Sequence, residues 1–218
     1  MPPTDLMTRL RTETRGPHDQ IEALPFHQNL ARGALHRDEY HALLEVLLMI
    51  HTTQEELRAS APRRIQELSA PLLRLSPFLE ADCQDARDLG THPTCSAPEV
   101  QARRYLNALR FQVVQTPLVL LGHLYVLHGS LLGGLQLRPL FVEALNWPPE
   151  KMRYFGGLGP QVPAAWRQFR EQMNQAAFSP ADEDRIVTAA TDAFEELIHI
   201  YAAFPIEEQP ANSLQVAS

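Results

Sequence analysis

Lysine is nearly absent from this 218-residue sequence, in which Lys151 is the only lysine among 19 lysines and arginines. Runs of basic residues are absent as well, and the formal net charge is −7. Nucleic-acid binding usually requires a basic patch that neutralises phosphates. The charge balance therefore argues against a nucleic-acid partner, and we interpret the excess of arginine as a compositional bias.

Cysteine is scarce, with only Cys83 and Cys95, and these lack the Cys-x-x-Cys spacing of metal and redox motifs. We expect free thiols in a loop-like stretch of a protein from a reducing compartment. The amino terminus lacks the basic and apolar regions of a signal peptide. The longest apolar run, 118–132, is interrupted by Gly122 and His123 and is too short to span a bilayer. These absences predict a cytoplasmic protein without a membrane partner.

The alternation of apolar and polar residues that marks a β-strand is also missing, whereas helical periodicity covers most of the chain. With 44% hydrophobic residues the chain can bury one large core. We predict an all-α, single-domain fold over residues 1–204 and a mobile, proline-containing tail over 205–218. The predicted helices are 4–24, 36–60, 63–68, 71–80, one that starts at 98, 118–137, 139–146, 162–177 and 180–203. The first is predicted to break at Gly16-Pro17. The helix that starts at 98 is predicted to direct Tyr105, Leu106, Leu109 and Phe111 inward. A polar connector is predicted over 81–98.

The helix predicted over 118–137 combines strong hydrophobicity with four glycines, Gly122, Gly129, Gly133 and Gly134. Each glycine costs a helix interior about 1 kcal/mol relative to alanine. Gly129 and Gly133 are four residues apart and share one helical face, so they leave a strip of bare backbone. Either a flat ligand or the backbone of another helix can pack there, and both interpretations remain open from this stretch alone.

Histidine is the residue type that offers most ligand candidates. His18 shares a helical face with Glu22, and Arg11 lies two turns earlier. Neutral imidazole is a common ligand of heme iron, and a nearby carboxylate can orient it. The remaining histidines are predicted to be surface or structural residues: His27, His36, His41, His51 and His92 in mostly polar surroundings, and His123 and His128 on the glycine-bearing helix, with His128 at the edge of the core.

A di-iron carboxylate site is a weaker alternative. Glu196 and His199 form the Glu-x-x-His unit that di-iron helical bundles use. Such a site needs two of these units and two further glutamates, and the sequence offers one unit. A hydrolase is not indicated, because Ser130 lacks a recognisable catalytic triad or nucleophile elbow.

Several ordered motifs resemble the heme oxygenase family over residues 5–204. LRTETRGPHDQIE at 10–22 is similar to the segment of the proximal histidine, and YVLHGSLLGG at 125–134 is similar to the glycine motif of the distal helix. The other matching stretches are 26–44, 153–169 and 172–194. The serine after the first glycine and the 153–169 stretch resemble bacterial, phytochrome-associated members.

The resemblance implies a heme oxygenase helical bundle that holds heme between a proximal and a distal helix. The reaction it implies is opening of heme, both substrate and cofactor, to biliverdin, iron and carbon monoxide, using O2 and electrons from a reductase or ferredoxin. A bacteriophytochrome is a candidate acceptor of the biliverdin. The implied site residues are His18 as iron ligand with Glu22 beside it, Gly129, Ser130, Gly133 and Gly134 on the distal surface, Arg11 and Arg170 at the propionates, and Phe194 as an aromatic wall.

Two positions depart from the family pattern. Pro17 directly precedes the candidate ligand His18, and His128 stands where bacterial members carry a glutamate. A break before His18 could change the direction of the ligand, and His128 could become a second iron ligand. These departures favour, as the alternative, a non-catalytic heme-binding or heme-sensing protein on the same fold.

Overall fold

A computed structural model describes residues 5–93 and 96–205. Over these residues the chain forms eleven α-helices and no strand, so the all-α prediction is confirmed. The helices are α1 (Leu6–Glu13), α2 (Arg15–Ala23), α3 (Pro25–Ala31), α4 (Arg37–Ser60), α5 (Arg63–Ser69), α6 (Ser76–Asp88), α7 (Ala97–Gln115), α8 (Val119–Leu145), α9 (Arg153–Gly156), α10 (Gln161–Gln175) and α11 (Pro180–Ala202). Most of the predicted tail, at 206–218, lies outside the described residues.

Local capping explains why several helices begin where the sequence predicted. The Asp5 side chain accepts a hydrogen bond from the Thr8 backbone N–H at the start of α1. Ser179 does the same for Asp182 at the start of α11, where Pro180 occupies the first helical position. Each cap satisfies an amide that has no partner within the helix.

Helices α8 and α11 form the centre of the bundle. A Cβ atom on Gly122 of α8 would press on the Ile186 carbonyl oxygen and lie 2.7 Å from the Ala190 backbone nitrogen. The two helices can therefore approach this closely only because residue 122 has no side chain. At this glycine the backbone-packing interpretation is correct.

The first predicted break lies elsewhere. The chain leaves helical geometry at Thr14, whose hydroxyl donates to the Leu10 carbonyl oxygen at 2.7 Å, and resumes as α2 at Arg15. Pro17 then lies in the first turn of α2, where its missing N–H costs no hydrogen bond. The candidate ligand His18 is therefore held on a regular helix.

The predicted boundary between helix and connector within 71–98 is wrong. The helix there is α6, Ser76–Asp88, because the Glu55 carboxylate of α4 accepts hydrogen bonds from the Leu75 and Ser76 backbone N–H groups and so caps α6 from a distance. Cys83 is consequently a buried residue of α6 and not part of a loop. Cys95 lies outside the described residues.

Two other expectations are wrong for reasons of tertiary packing. Helix α8 continues through Pro139 to Leu145, because the fully buried Phe141 anchors its last turns against Tyr40 and Phe155. Phe111 is 70% exposed, since the inward face of α7 is defined by residues at a four-residue spacing, including Tyr105 and Leu109.

In the described parts of the chain, no helix is long and apolar enough to cross a membrane.

Candidate functional site

His18 projects from α2 with 53% of its side chain exposed. Its Nδ1 atom lies 3.8 Å from Glu22 Oε1 and 3.9 Å from Asp19 Oδ1. Both carboxylates therefore lie on the Nδ1 side, an arrangement that can orient the ring while leaving Nε2 available as a ligand atom. These three residues are also the only cluster of potential metal ligands in the part of the chain that the structure describes.

Phe194 of α11 forms the apolar wall beside this histidine. The two rings meet edge to face, with centroids 5.8 Å apart, and Phe194 is only 8% exposed. Helix α11 packs against both α2 and α8, so it spaces the histidine helix from the glycine helix. The structure thus brings together His18, Glu22 and Phe194, which the sequence had placed on the proximal side.

Helix α8 is buried up to His128 and becomes partly exposed from Gly129 onward. A Cβ on Gly133 would meet nothing within 4 Å, whereas one on Gly129 would lie 3.3 Å from the Trp166 indole, and one on Gly134 3.4 Å from Phe155. Helix packing therefore does not require a glycine at 133. The open backbone at this position is available to a ligand.

Ser130 adjoins this open surface. It is exposed, and its hydroxyl donates to the Leu127 carbonyl oxygen at 2.8 Å. The hydroxyl is thus partly occupied within the helix, but it remains on the same exposed half of α8 as Gly133.

The charges of Arg11 of α1 and Arg170 of α10 both act on Tyr125 of α8. Burial raises the pKa of the Tyr125 phenol, while a hydrogen bond to Thr14 and the charges of Arg170 and Arg11 oppose that rise. Both arginines are exposed, and neither forms an ion pair with a described residue. Two unpaired cations near one edge of α8 suit a ligand with two carboxylates.

The arrangement fits heme better than a pair of metal ions. An exposed imidazole, an aromatic wall, an open glycine backbone and two unpaired arginines match an iron atom, a flat macrocycle and two propionates. At the Glu-x-x-His unit, by contrast, Glu196 is bonded to Arg104 at 2.9 Å, and the His199 side chain is 58% exposed. That unit behaves as a solvated helix edge.

Two histidines are more deeply buried than expected from their sequence surroundings. His41 is 0% exposed and contacts Thr91 through Nδ1 at 2.9 Å, and His51 is 1% exposed and contacts the Tyr154 hydroxyl through Nε2 at 2.9 Å. The expectation of polar surroundings for both is therefore wrong. His128 is also buried, and its ring lies edge-on to His51 with centroids 6.0 Å apart. Because His128 faces α4, the structure does not support the hypothesis that His128 is a second iron ligand.

Sequence reasoning missed two aromatic residues of the site. Tyr125 lies four residues before Gly129 on α8, and Trp166 lies four residues before Arg170 on α10, with the two rings 5.5 Å apart. The helical spacing to residues already singled out was a usable signal. Their contact with each other could only be known once α8 and α10 were placed together.

The structure defines an all-helical protein in which the histidine-bearing helix α2 and the glycine-bearing helix α8 both pack against α11. The heme oxygenase family model matches residues 4–203, and this chain belongs to the heme oxygenase family. Heme oxygenase 1 of Gallus gallus is 25% identical over 209 residues, which cover 91% of this chain and 69% of that protein.

Solved structures agree on the fold. Heme oxygenase-1 from the cyanobacterium Synechocystis sp. PCC6803, in complex with heme, matches with a TM-score of 0.78 at 23% identity, covering 91% of each chain. Heme oxygenase 2 from Chlamydomonas reinhardtii, without heme, matches with a TM-score of 0.81 at 19% identity, covering 94% of this chain and 100% of that one. The predicted heme oxygenase-like helical bundle is confirmed.

Proposed function

We propose that this protein opens heme to biliverdin, iron and carbon monoxide, with the heme held between α2 and α8. The reaction is that of the family to which the chain belongs. The observation that carries the placement is the pairing of an exposed, carboxylate-flanked His18 with an open backbone at Gly133, spaced by α11. Bound heme would supply the iron that activates oxygen and the ring that is opened.

His18 is the proposed iron ligand. Its neutral imidazole would bind through Nε2, while Glu22 and Asp19 on the Nδ1 side hold the ring orientation through water. Both carboxylates lie more than 3.5 Å from Nδ1, beyond direct hydrogen-bond distance, so they give the imidazole only weak anionic character. Such a ligand favours attack on the ring over early cleavage of the oxygen–oxygen bond.

The distal surface is proposed to comprise Gly129, Ser130, Gly133 and Gly134. Bare backbone allows the macrocycle to approach closely and leaves no side chain there to be oxidised. Trp166, which lies over Gly129, closes one side of this surface. Backbone groups and ordered water would then be the hydrogen-bond donors nearest the reacting atoms.

Arg11 and Arg170 are proposed to bind the two heme propionates. An arginine can form two parallel hydrogen bonds with one carboxylate, so a pair of arginines fixes both the position and the rotation of the ring. Rotation determines which edge of the macrocycle faces the distal helix. We therefore expect these residues to influence which biliverdin isomer forms.

The partners and the compartment follow as proposals from this chemistry. Ring opening consumes electrons, so a reductase or ferredoxin must dock to the protein. A bacteriophytochrome is a candidate acceptor of biliverdin because the 153–169 stretch resembles phytochrome-associated members. The free, buried Cys83 is consistent with a reducing compartment such as the cytoplasm.

The direct test adds one equivalent of hemin to the purified protein and supplies ascorbate in air, with catalase present to remove free peroxide. We expect a heme absorption band that decays while biliverdin accumulates, identified by extraction and chromatography. A stable heme complex that yields no biliverdin with ascorbate, ferredoxin or a flavin reductase would contradict the proposal and favour a heme-binding protein.

A further inference from the structure

Helix α9 is the shortest α-helix of the described chain and lies between α6 and α8, with contacts to both. It comprises only Arg153–Gly156. A single helical turn is not stable by itself, because few hydrogen bonds offset the entropy that is lost in ordering it. The position of α9 must therefore be imposed by the two helices that flank it.

The contact on the α6 side is made by Asp82, whose side chain is fully buried. Asp82 Oδ1 accepts hydrogen bonds from the Arg153 backbone N–H at 3.1 Å and from Arg153 Nη1 at 2.9 Å, and Oδ2 accepts one from the Tyr154 backbone N–H at 2.9 Å. These are the first two amides of α9, which have no partner within the helix. Burial raises the pKa of Asp82, and the hydrogen bonds from Tyr154 and Arg153 oppose that rise. Asp82 thus fixes the backbone of α9 relative to α6.

The contact on the α8 side involves two glycines. A Cβ atom on Gly134 would lie 3.4 Å from Cδ1 of Phe155, and one on Gly156 would collide with the Arg138 side chain of α8. Phe155 itself is buried, with 7% of its surface exposed. A shift of α9 would therefore be transmitted to the part of α8 that carries Gly133 and Gly134.

This part of α8 needs support from outside the helix. Gly133 and Gly134 are consecutive, and each weakens the helix by about 1 kcal/mol relative to alanine. Consecutive helical positions differ by about 100° around the axis, so Phe155 supports the turn at Gly134 while the direction of a Gly133 side chain stays open. The chain thus combines a pliable turn at the candidate ligand surface with a fixed aromatic wall beside it.

We propose that Asp82 is a positioning residue for the distal surface, a role that rests on the proposed heme oxygenase activity. By holding the backbone of α9, Asp82 keeps Phe155 against Gly134 and so fixes where this turn of α8 lies relative to the heme. Asp82 acts through α9 and not by direct contact with a ligand. Because a displacement of about 1 Å in a site can lower a rate by about 100-fold, loss of this anchor should slow turnover.

Asp85 provides a matched control one turn further along α6. Its carboxylate is paired with two side chains, Arg153 Nη1 at 2.6 Å and Lys151 Nζ at 3.0 Å. Among the described residues it accepts no backbone N–H from α9. Asp85→Asn therefore removes ion pairs beside α9 and leaves the backbone anchor intact, whereas Asp82→Asn weakens the anchor with little change in side-chain volume.

The first test uses the heme-free protein and follows hydrogen exchange of the backbone amides by NMR. We expect the Tyr154 amide to exchange roughly tenfold faster, or more, in Asp82→Asn than in the parent, since a hydrogen bond to a charged group is lost. In Asp85→Asn the same amide should exchange at nearly the parent rate. An unchanged rate in Asp82→Asn, or an equal acceleration in both variants, would overturn the proposal.

The second test uses the heme-loaded protein and the stretching frequency of carbon monoxide added to ferrous heme, which reports the distal surroundings. We expect Asp82→Asn and Phe155→Leu to shift this frequency and to slow ring opening by roughly 10–100-fold at an unchanged hemin affinity. Asp85→Asn should match the parent. The double variant Asp82→Asn/Phe155→Leu should be no slower than the slower single variant, because both changes act on one contact. Phe155→Leu leaves the anchor in place, so parent-like behaviour of this variant would overturn the proposal even if Asp82→Asn does not fold.

The outcomes separate the two proposals. If the parent protein does not open heme, the proposed function fails, and the role of Asp82 in turnover fails with it. If the parent opens heme and Asp82→Asn matches Asp85→Asn in rate and frequency, the positioning role is refuted while the function stands. A lower melting temperature of Asp82→Asn with a parent-like rate and frequency would also refute it, because that result would indicate a purely structural role. Fully additive losses in the double variant would refute the route through Phe155.

Discussion

Alanine substitutions at Gly122 and Gly133 should have opposite effects on stability, although both residues lie on α8. At Gly122 the added methyl group would press on the Ile186 carbonyl and lie 2.7 Å from the Ala190 nitrogen, so α8 and α11 must separate. Overpacking of this kind costs typically 1–3 kcal/mol, and alanine's better helix propensity returns about 1 kcal/mol. We expect Gly122→Ala to lower the free energy of unfolding by up to about 2 kcal/mol.

At Gly133 the same methyl group meets nothing within 4 Å. Only the helix propensity then applies, and Gly133→Ala should stabilise the heme-free protein by up to about 1 kcal/mol. Since 1 kcal/mol shifts the melting temperature of a protein this size by about 2–4 °C, the two variants should melt on opposite sides of the parent. Thermal unfolding followed by circular dichroism, with urea titration as a second measure, would show this.

The functional consequences should be reversed. Gly133→Leu should fold normally but lose heme ring opening, because the leucine fills the open distal surface. Gly122→Ala should retain ring opening at temperatures where it remains folded. If Gly133→Ala destabilises the protein as much as Gly122→Ala, or if Gly133→Leu turns over normally, the assignment of Gly133 to the ligand site is refuted.

Three further predictions concern histidine and arginine. His18→Ala should abolish or greatly weaken the ferric heme spectrum, while the exposed control His92→Ala should leave it intact. Normal heme binding by His18→Ala in a spectroscopic titration would show that another residue is the iron ligand. Arg170→Ala should weaken heme binding by up to about fivefold, the limit for one exposed ion pair, or change the biliverdin isomer that forms. The control Arg167→Ala, on the same helix, should do neither. If Arg170→Ala leaves both the heme affinity and the isomer unchanged, Arg170 does not belong to the propionate site. Burial lowers the pKa of His123 to about 3. Below about pH 6.5 the unfolded chain therefore binds a proton that the folded chain does not bind. As a result, the free energy of unfolding decreases as the pH is lowered. Between pH 7 and pH 5 the free energy of unfolding of the parent should therefore decrease by about 2 kcal/mol more than that of His123→Gln. An equal decrease for the two proteins in urea unfolding at the two pH values would contradict this.

The sequence was sufficient where the determining interactions are local. Helix α11 begins where Ser179 and Pro180 predict, since the cap lies within three residues of the amide that it satisfies. Helix α6 was misplaced because its cap, Glu55, comes from another helix twenty residues earlier in the chain. Helix α8 continues past Pro139 because Phe141 packs against Tyr40 and Phe155, which are remote in sequence.

The candidate site divides in the same way. His18 with Glu22 and the spacing of Gly129 and Gly133 could be identified because each pair lies one turn apart on a single helix. The contact of Trp166 with Gly129 and the action of the Arg11 and Arg170 charges on Tyr125 required three helices to be packed together. The burial of His51 was missed because Thr52 and Glu55 after it are polar, although Leu47 and Ile50 before it are buried.

The glycines of the glycine-bearing helix fall into two groups: Gly122 serves backbone packing, whereas contact of Gly133 with a flat ligand stays a prediction. Gly122 lies in the mostly buried half of α8 and allows contact with α11, whereas Gly133 lies in the partly exposed half, where a Cβ atom would meet nothing within 4 Å. His128 stands at the boundary between the two halves and faces α4. A heme on the exposed half would therefore rest on a helix whose other half is fixed by backbone packing against α11.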